Sequence, residues 1–208
     1  MKILFFGDSI TDAHRDRQNP YHLYGLGTGY VNAVASRLAA KDPVGYTVLN
    51  RGIAGNRVVD LYARIKSDVW NEKPDVVSIL IGINDILHEI FHHNGVAPDR
   101  FERVYRMLIE DTQRLLPDAK IILCEPFVLD GAATHEKFNE FMRVYEYCEI
   151  VKKLAAEFDL PLVLLQDKLD EAAARDGVTV YTPDGVHPSL AGAAIIAEEW
   201  LKTFQAMK

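Results

Sequence analysis

The chain has 208 residues, 49% of them hydrophobic and 25% charged. That is a globular composition, too apolar for disorder, and long enough to bury a core without disulfides or metals. The formal charge of −7 repels polyphosphate, so nucleic acid is excluded as an expected partner.

The first apolar run, residues 2–6, is too short for a secretory leader core, and no small-residue cleavage site follows it. A cytoplasmic location is the expectation. No stretch approaches the ~18 apolar residues of a membrane span, so no membrane partner is expected either. The run reads as a strand and delivers the chain into Gly7-Asp8-Ser9-Ile10-Thr11. Ser9 then stands at a strand's carboxyl end, where a hydroxyl can face a cleft. Asp8-Ser9 taken alone also fits a turn or helix cap, and the Gly-x-Ser-x-Gly elbow is missing. Asp8 and Asp12 flank the serine as acceptors able to fix the loop, and Asp8 is also a candidate substrate contact.

A helix is expected over 29–41. Tyr30, in Gly27-Thr28-Gly29-Tyr30, is either a lining residue of an acyl pocket or a core aromatic. The second strand, 46–50, runs into Asn50-Arg51-Gly52-Ile53-Ala54-Gly55-Asn56, where a glycine lets backbone N–H groups approach a ligand closely. A plain Gly-rich loop would look the same. Arg57 opens the next helix, 57–70, and either touches substrate or pairs with a carboxylate.

The third strand, 75–81, is the most apolar and therefore the expected centre of the sheet. It ends in Ile81-Gly82-Ile83-Asn84-Asp85. Asn84 can offer side-chain N–H donors to a developing oxyanion, and an N-cap role is the alternative. His88, His92 and His93 have helix-compatible spacing without an accompanying Cys or Asp/Glu pattern, which reads as a solvated face and not a metal site. A helix over 99–116, a strand over 119–124, a helix over 136–158 and a strand over 161–165 complete the middle of the chain. Cys124 and Cys148 fall inside these elements and read as buried thiols.

The last segment is Asp184-Gly185-Val186-His187-Pro188, ahead of a helix over 188–205. Pro188 suits a first helical position and holds His187 at the helix mouth. Asp184, three residues earlier, can reach the imidazole Nδ1–H, fix its tautomer and favour the imidazolium; a buried carbonyl is the other possible orienting group. Strand–helix alternation throughout predicts one α/β domain spanning 1–208, a parallel sheet with helices on both faces, and active groups at the strands' carboxyl ends. Ser9, Asn84 and His187, with the glycine loop, all fall at such junctions.

These residues resemble the SGNH hydrolases, or GDSL esterase/lipase family, over nearly the whole chain. Ser9 stands in Gly-Asp-Ser-Ile-Thr, Gly55 in Gly-Ile-Ala-Gly-Asn, Asn84 in Gly-Ile-Asn-Asp and His187 in Asp-Gly-Val-His-Pro, in the family's order. The resemblance implies a three-layer flavodoxin-like sandwich with a five-stranded parallel sheet. It also implies ester hydrolysis through an acyl-enzyme on Ser9, with Asp184 and His187 completing a triad. The N–H of Ser9, the N–H of Gly55 and the Asn84 amide would form the oxyanion hole, with no metal or other cofactor.

Stretches 7–12, 26–31 and 73–85 are similar to the intracellular xylo-oligosaccharide acetylesterases of bacilli, which implies a small acylated carbohydrate as substrate. That subgroup forms a ring-like homo-oligomer through the region before the catalytic Asp. There this chain has Tyr181-Thr182-Pro183 in place of an aromatic-containing stretch, and self-association stays an open expectation. Two competing readings are a lysophospholipase or thioesterase of the same family and a non-catalytic carbohydrate- or partner-binding protein on this fold.

Overall fold

The computed structural model describes residues 1–207. Five strands, β1 (Lys2–Gly7), β2 (Thr47–Gly52), β3 (Val76–Leu80), β4 (Lys120–Cys124) and β5 (Leu162–Val163), form one sheet in the order β2-β1-β3-β4-β5. Every pairing is parallel. Parallel neighbours require crossovers, and helices supply them. These are α1 (Ser9–Asp12), α2 (Tyr30–Lys41), α3 (Val58–Asp68), α4 (Ile83–His92), α5 (Pro98–Leu115), α6 (Phe138–Phe141), α7 (Val144–Glu157), α8 (Gln166–Asp176), α9 (Val178–Tyr181) and α10 (Leu190–Ala206).

The two faces can be read off β1, because successive side chains of a strand point to opposite sides. Phe5 meets Tyr30 of α2 edge-on and lies 4.9 Å from the Trp200 ring of α10. Its cross-strand neighbour Ser78 accepts the Trp200 indole N–H at 2.9 Å. Phe6 faces the other way, under the Arg64 guanidinium of α3 at 4.3 Å, and its neighbour Ile79 lies beneath Tyr105 of α5. Helices α2 and α10 therefore cover one face and α3 and α5 the other, the three-layer arrangement expected. Both faces are covered, so Ile3 to Phe6 are all buried and read as an unbroken apolar run.

From β1 the chain crosses outward to β2 and then back past β1 to β3. Connections leave β1 and β3 in opposite directions, which opens a crevice beyond their carboxyl ends. Loop 13–29 passes over edge strand β2. Asn50 of that strand donates to Leu26 O, and Tyr21 of the loop donates to Glu72, which also pairs with Arg51. The covering loop denies the edge to another strand.

Several elements differ from expectation. Helix α4 begins three residues after β3, where only a strand end is expected; Ile83, Ile86, Leu87 and Ile90 give it a helical stripe that directly continues the apolar strand. Helix α8 is also unforeseen, because Leu169 and Ala172 are a thin apolar signal in a polar segment. The expected helix over 136–158 breaks at Met142-Arg143, where hydrogen bonds tighten to three-residue steps. Strand β5 shrinks to two residues. Pro188 is not the first residue of α10: Ser189 caps the helix, its Oγ accepting from Ala191 N and Gly192 N, and a side-chain acceptor there outranks proline's fixed φ.

Trp200 joins the two halves of the chain, stacking on Phe204 and reaching both β1 and β3. Trp200→Ala is expected to destabilise by about 3–5 kcal/mol. Urea denaturation will read this as a lower midpoint with an unchanged slope.

Candidate active site

β1 ends at Gly7, in register with Gly52 of β2 and Leu80 of β3. A Cβ on Gly7 would stand 2.4 Å from both Leu80 O and Thr11 Oγ1, so glycine alone lets the chain turn here. Asp8 caps α1, its Oδ1 accepting from Ile10 N at 3.0 Å, and Ser9 comes next as the first helical residue. A four-residue helix cannot hold itself. It is tied from outside instead: Asn50 Nδ2 donates to Thr11 O at 2.6 Å, and Arg64, on its Phe6 cushion, donates to Gly7 O at the strand end before it, at 3.0 Å.

The glycine loop after β2 is docked on the same turn. Ala54 N donates to Asp12 Oδ2 at 3.2 Å, and Ile53 N to Gly7 O at 3.0 Å. Gly55 has φ +82°, and a Cβ there would meet nothing within 4 Å, so its backbone borders open space in a conformation that favours glycine. Asn84 opens α4 and donates its Nδ2 to Asn56 O at 3.1 Å, while Asp85 accepts Val58 N at the start of α3. The loops after β2 and β3 are thus joined beside β1. Among the described residues no acceptor takes the N–H of Ser9 or of Gly55.

His187 arrives from the far end of the chain. Its Nε2 lies 2.9 Å from Ser9 Oγ, and its Nδ1 lies 2.6 Å from Asp184 Oδ2. Asp184 Oδ1 accepts the backbone N–H of Val186 at 2.9 Å and of His187 at 2.7 Å, so one carboxylate shapes the turn and holds the ring. Burial works to raise the Asp184 pKa, but the hydrogen bonds from the imidazole and those two N–H groups outweigh it and leave the group below the ordinary carboxylate range. An ionised carboxylate only accepts, so Nδ1 carries the proton and Nε2 presents a lone pair to the serine hydroxyl. The His187 side chain is 54% exposed, open to an incoming ligand.

A segment that attracts no notice in the sequence holds this turn. Leu129 N donates to Gly185 O, Ala132 N to Pro183 O and Ala133 N to Asp184 O, at 2.8–3.1 Å. A Cβ on Gly131 would stand 2.1 Å from Gly185 N, and one on Gly185 2.2 Å from Thr134 Oγ1. The only trace in the sequence is the run of small residues 131–134.

The three candidate substrate contacts are placed unevenly. Asp8 is 0% exposed and reaches no cleft, so it is a loop-fixing group and the substrate-contact expectation for it is corrected. Tyr30 lies at the wall of a cavity beside Ser9, but its ring is buried against Phe5 and its hydroxyl is bonded to Thr11. Arg57 is engaged by Asp60 and by Asn94 O. His88 and His92 pack ring to ring, and no group of three or more His, Cys, Asp or Glu among the described residues is arranged to hold a metal ion. Both cysteines are buried and free. No helix among the described residues is long and apolar enough to cross a membrane.

Comparison with known proteins gives consistent relatives. Residues 5–195 match the model of the GDSL-like Lipase/Acylhydrolase family. The acetylxylan esterase of Geobacillus stearothermophilus is 38% identical over 97% of this chain and 92% of its own. Its crystal structure superposes with a TM-score of 0.88, over 97% of this chain and 93% of that one. Catalytic mutants of that enzyme replace a serine, an aspartate and a histidine by alanine. A GDSL-like lipase from Parabacteroides merdae, 36% identical, superposes with a TM-score of 0.91 over 98% of this chain and 95% of its own.

Asp8 carries an electrostatic cost. Burial pushes its pKa up to about 7 against the pull of the Ile10 N–H, His187 and Arg64, and its Oδ2 has no partner among the described residues. A carboxyl whose folded pKa is raised binds more protons folded than unfolded between about pH 4 and 7, so its contribution to stability falls as pH rises through that window. Asp8→Asn, which cannot ionise, is expected to gain about 4 kcal/mol relative to the native protein between pH 4 and pH 8. Denaturation midpoints at the two pH values will show whether the gap opens.

Proposed function

The chain belongs to the GDSL-like lipase/acylhydrolase family and is a carboxylic ester hydrolase, and on that premise we propose that it removes O-acetyl groups from sugars, xylo-oligosaccharides above all, with Ser9 as nucleophile. The observation that carries the reading is the relay Ser9 Oγ to His187 Nε2, 2.9 Å, and His187 Nδ1 to Asp184 Oδ2, 2.6 Å. The same three residue types are replaced in the catalytic mutants of the acetylxylan esterase relative.

In this mechanism His187 Nε2 takes the Ser9 proton as Oγ attacks the acetyl carbonyl, and Asp184 stabilises the resulting imidazolium. The carbonyl oxygen becomes an oxyanion facing the N–H of Ser9, the N–H of Gly55 and the Asn84 amide. The two backbone donors are unclaimed by the protein, which supports that assignment. Asn84 has one amide hydrogen on Asn56 O and a second left for the substrate. His187 then passes its proton to the sugar oxygen, which leaves. Water, deprotonated by the same imidazole, attacks the acyl-enzyme, releases acetate and returns the proton to Ser9. Asp8, Asp12 and Asp85 act at one remove, holding the loops that aim these donors.

Three outcomes check the proposal. Purified enzyme releases acetate from acetylated xylo-oligosaccharides, and Ser9→Ala does not; equal release by both would overturn it. Asn84→Ala lowers kcat on p-nitrophenyl acetate by about 10²–10³, whereas a change under about threefold removes Asn84 from the site. The native protein prefers p-nitrophenyl acetate to the octanoate, and strong preference for the octanoate transfers the reading to a long-chain acylhydrolase.

A further inference from the structure

A cavity of about 300 Å³ opens beside Ser9, lined by Ala13, His14 and Thr28 from the segments around loop 13–29 and by His187 and Leu190 from the last part of the chain. Neither Gly55 nor Asn84 lines it. In a tetrahedral intermediate on Ser9 the oxyanion faces those two residues and the departing oxygen faces His187 Nε2. A cavity bounded by Ser9 and His187, to which neither Gly55 nor Asn84 contributes, therefore lies on the leaving-group side. Its volume is at the small end of the range for ligand sites, ~300–1,000 Å³. One acetyl methyl leaves most of it empty, whereas a sugar ring fills it.

The part of the lining that carries His14 has a built backbone. Ala13 and His14 are both left-handed, with φ +43° and +60°. Histidine is among the residues that tolerate this region, and alanine is not. The conformation is held from the other end of loop 13–29. Thr28 gives both its N–H and its hydroxyl to Ala13 O, at 2.8 and 3.1 Å, and a Cβ on Gly29 would stand 2.7 Å from Ala13 Cβ. The clamp presents an exposed His14 imidazole that bonds to nothing else among the described residues. Leu190, which also lines the cavity, is 84% exposed. A pyranose ring has one chemistry for each part of this lining: hydroxyls at its equator for the imidazole and Thr28, and a C–H face for the leucine.

We propose that this cavity binds the alcohol half of the ester, a pyranoside, and that His14 is a specificity-determining residue that hydrogen-bonds a ring hydroxyl next to the one carrying the acetyl group. The inference rests on Ser9 being the acylated residue.

By microscopic reversibility a free sugar in the cavity competes with water for the acyl-enzyme. The sugar hydroxyl gives its proton to His187, its oxygen takes the acetyl group, and Ser9 Oγ recovers the proton. The experiment uses p-nitrophenyl acetate with methyl β-xyloside present. Released p-nitrophenol counts acylation events, and O-acetyl xyloside against acetate counts capture by the alcohol.

Native protein is expected to form O-acetyl xyloside. His14→Gly, which relaxes the backbone, lowers the capture ratio about tenfold. His14→Asn, which tolerates the left-handed region and keeps a hydrogen-bonding head, restores part of it. Absence of O-acetyl xyloside with native protein, or an unchanged ratio in His14→Gly at native thermal stability, overturns the proposal. Absence of p-nitrophenol release by native protein overturns the esterase reading beneath it as well.

Discussion

A hydrogen bond of 2.9 Å joins two side chains 178 residues apart, Ser9 near one end of the chain and His187 near the other. Local structure cannot make such a contact. It depends on five strands all running the same way, so that the segments leaving their carboxyl ends gather at one rim of the sheet. β1 delivers Ser9, β2 the Gly55 loop and β3 Asn84. The segment after β4, residues 129–135, delivers nothing to the chemistry but pins the turn of Asp184 and His187 through backbone hydrogen bonds. Glycines at 131 and 185 permit the close approach, since a methyl group at either would overlap the other loop.

The rim is held by carboxylates used as struts. Asp12 takes Ala54 N and pairs with Arg17, Asp85 takes Val58 N, and Asp8 takes Ile10 N. Burial raises the pKa of Asp8 and of Asp85, and the Asp8 carboxylate adds to the difficulty of ionising Asp85. A rim built this way is costly in stability and well defined in geometry, since each strut fixes at least one backbone N–H that would otherwise lack an acceptor. The apolar sheet beneath it, with Phe5, Phe6 and Trp200 buried between layers, supplies the stability that allows the arrangement.

Much of this was legible in the sequence because the chemistry and the strand ends coincide. An apolar run leading at once into Gly7-Asp8-Ser9 announces both a strand and a side chain at its carboxyl end. Asp184 and His187, three apart ahead of a helix, announce a ring and its orienting partner. Less legible was whatever depends on tertiary contact. The apolar stripe of α4 merges with β3, so the strand masks the helix that carries Asn84. Residues 129–135 have no periodicity and matter through their backbone bonds to the turn at 183–185. Asp8 and Tyr30 are polar residues beside Ser9, and only their burial separates struts from contacts. Left-handed Ala13 has no signature in residue type, because the clamp from Thr28 and Gly29 imposes it.

In the proposed mechanism the imidazole of His187 makes the hydroxyl of Ser9 nucleophilic, and every other role assigned to the rim depends on that relation. A fluorophosphonate probe, combined with peptide mapping, tests it most directly because it needs no knowledge of the substrate. One adduct per chain is predicted, on Ser9, formed rapidly by the native protein and slowed by orders of magnitude in His187→Ala. Labelling at another residue, or equal rates with and without the imidazole, would contradict it.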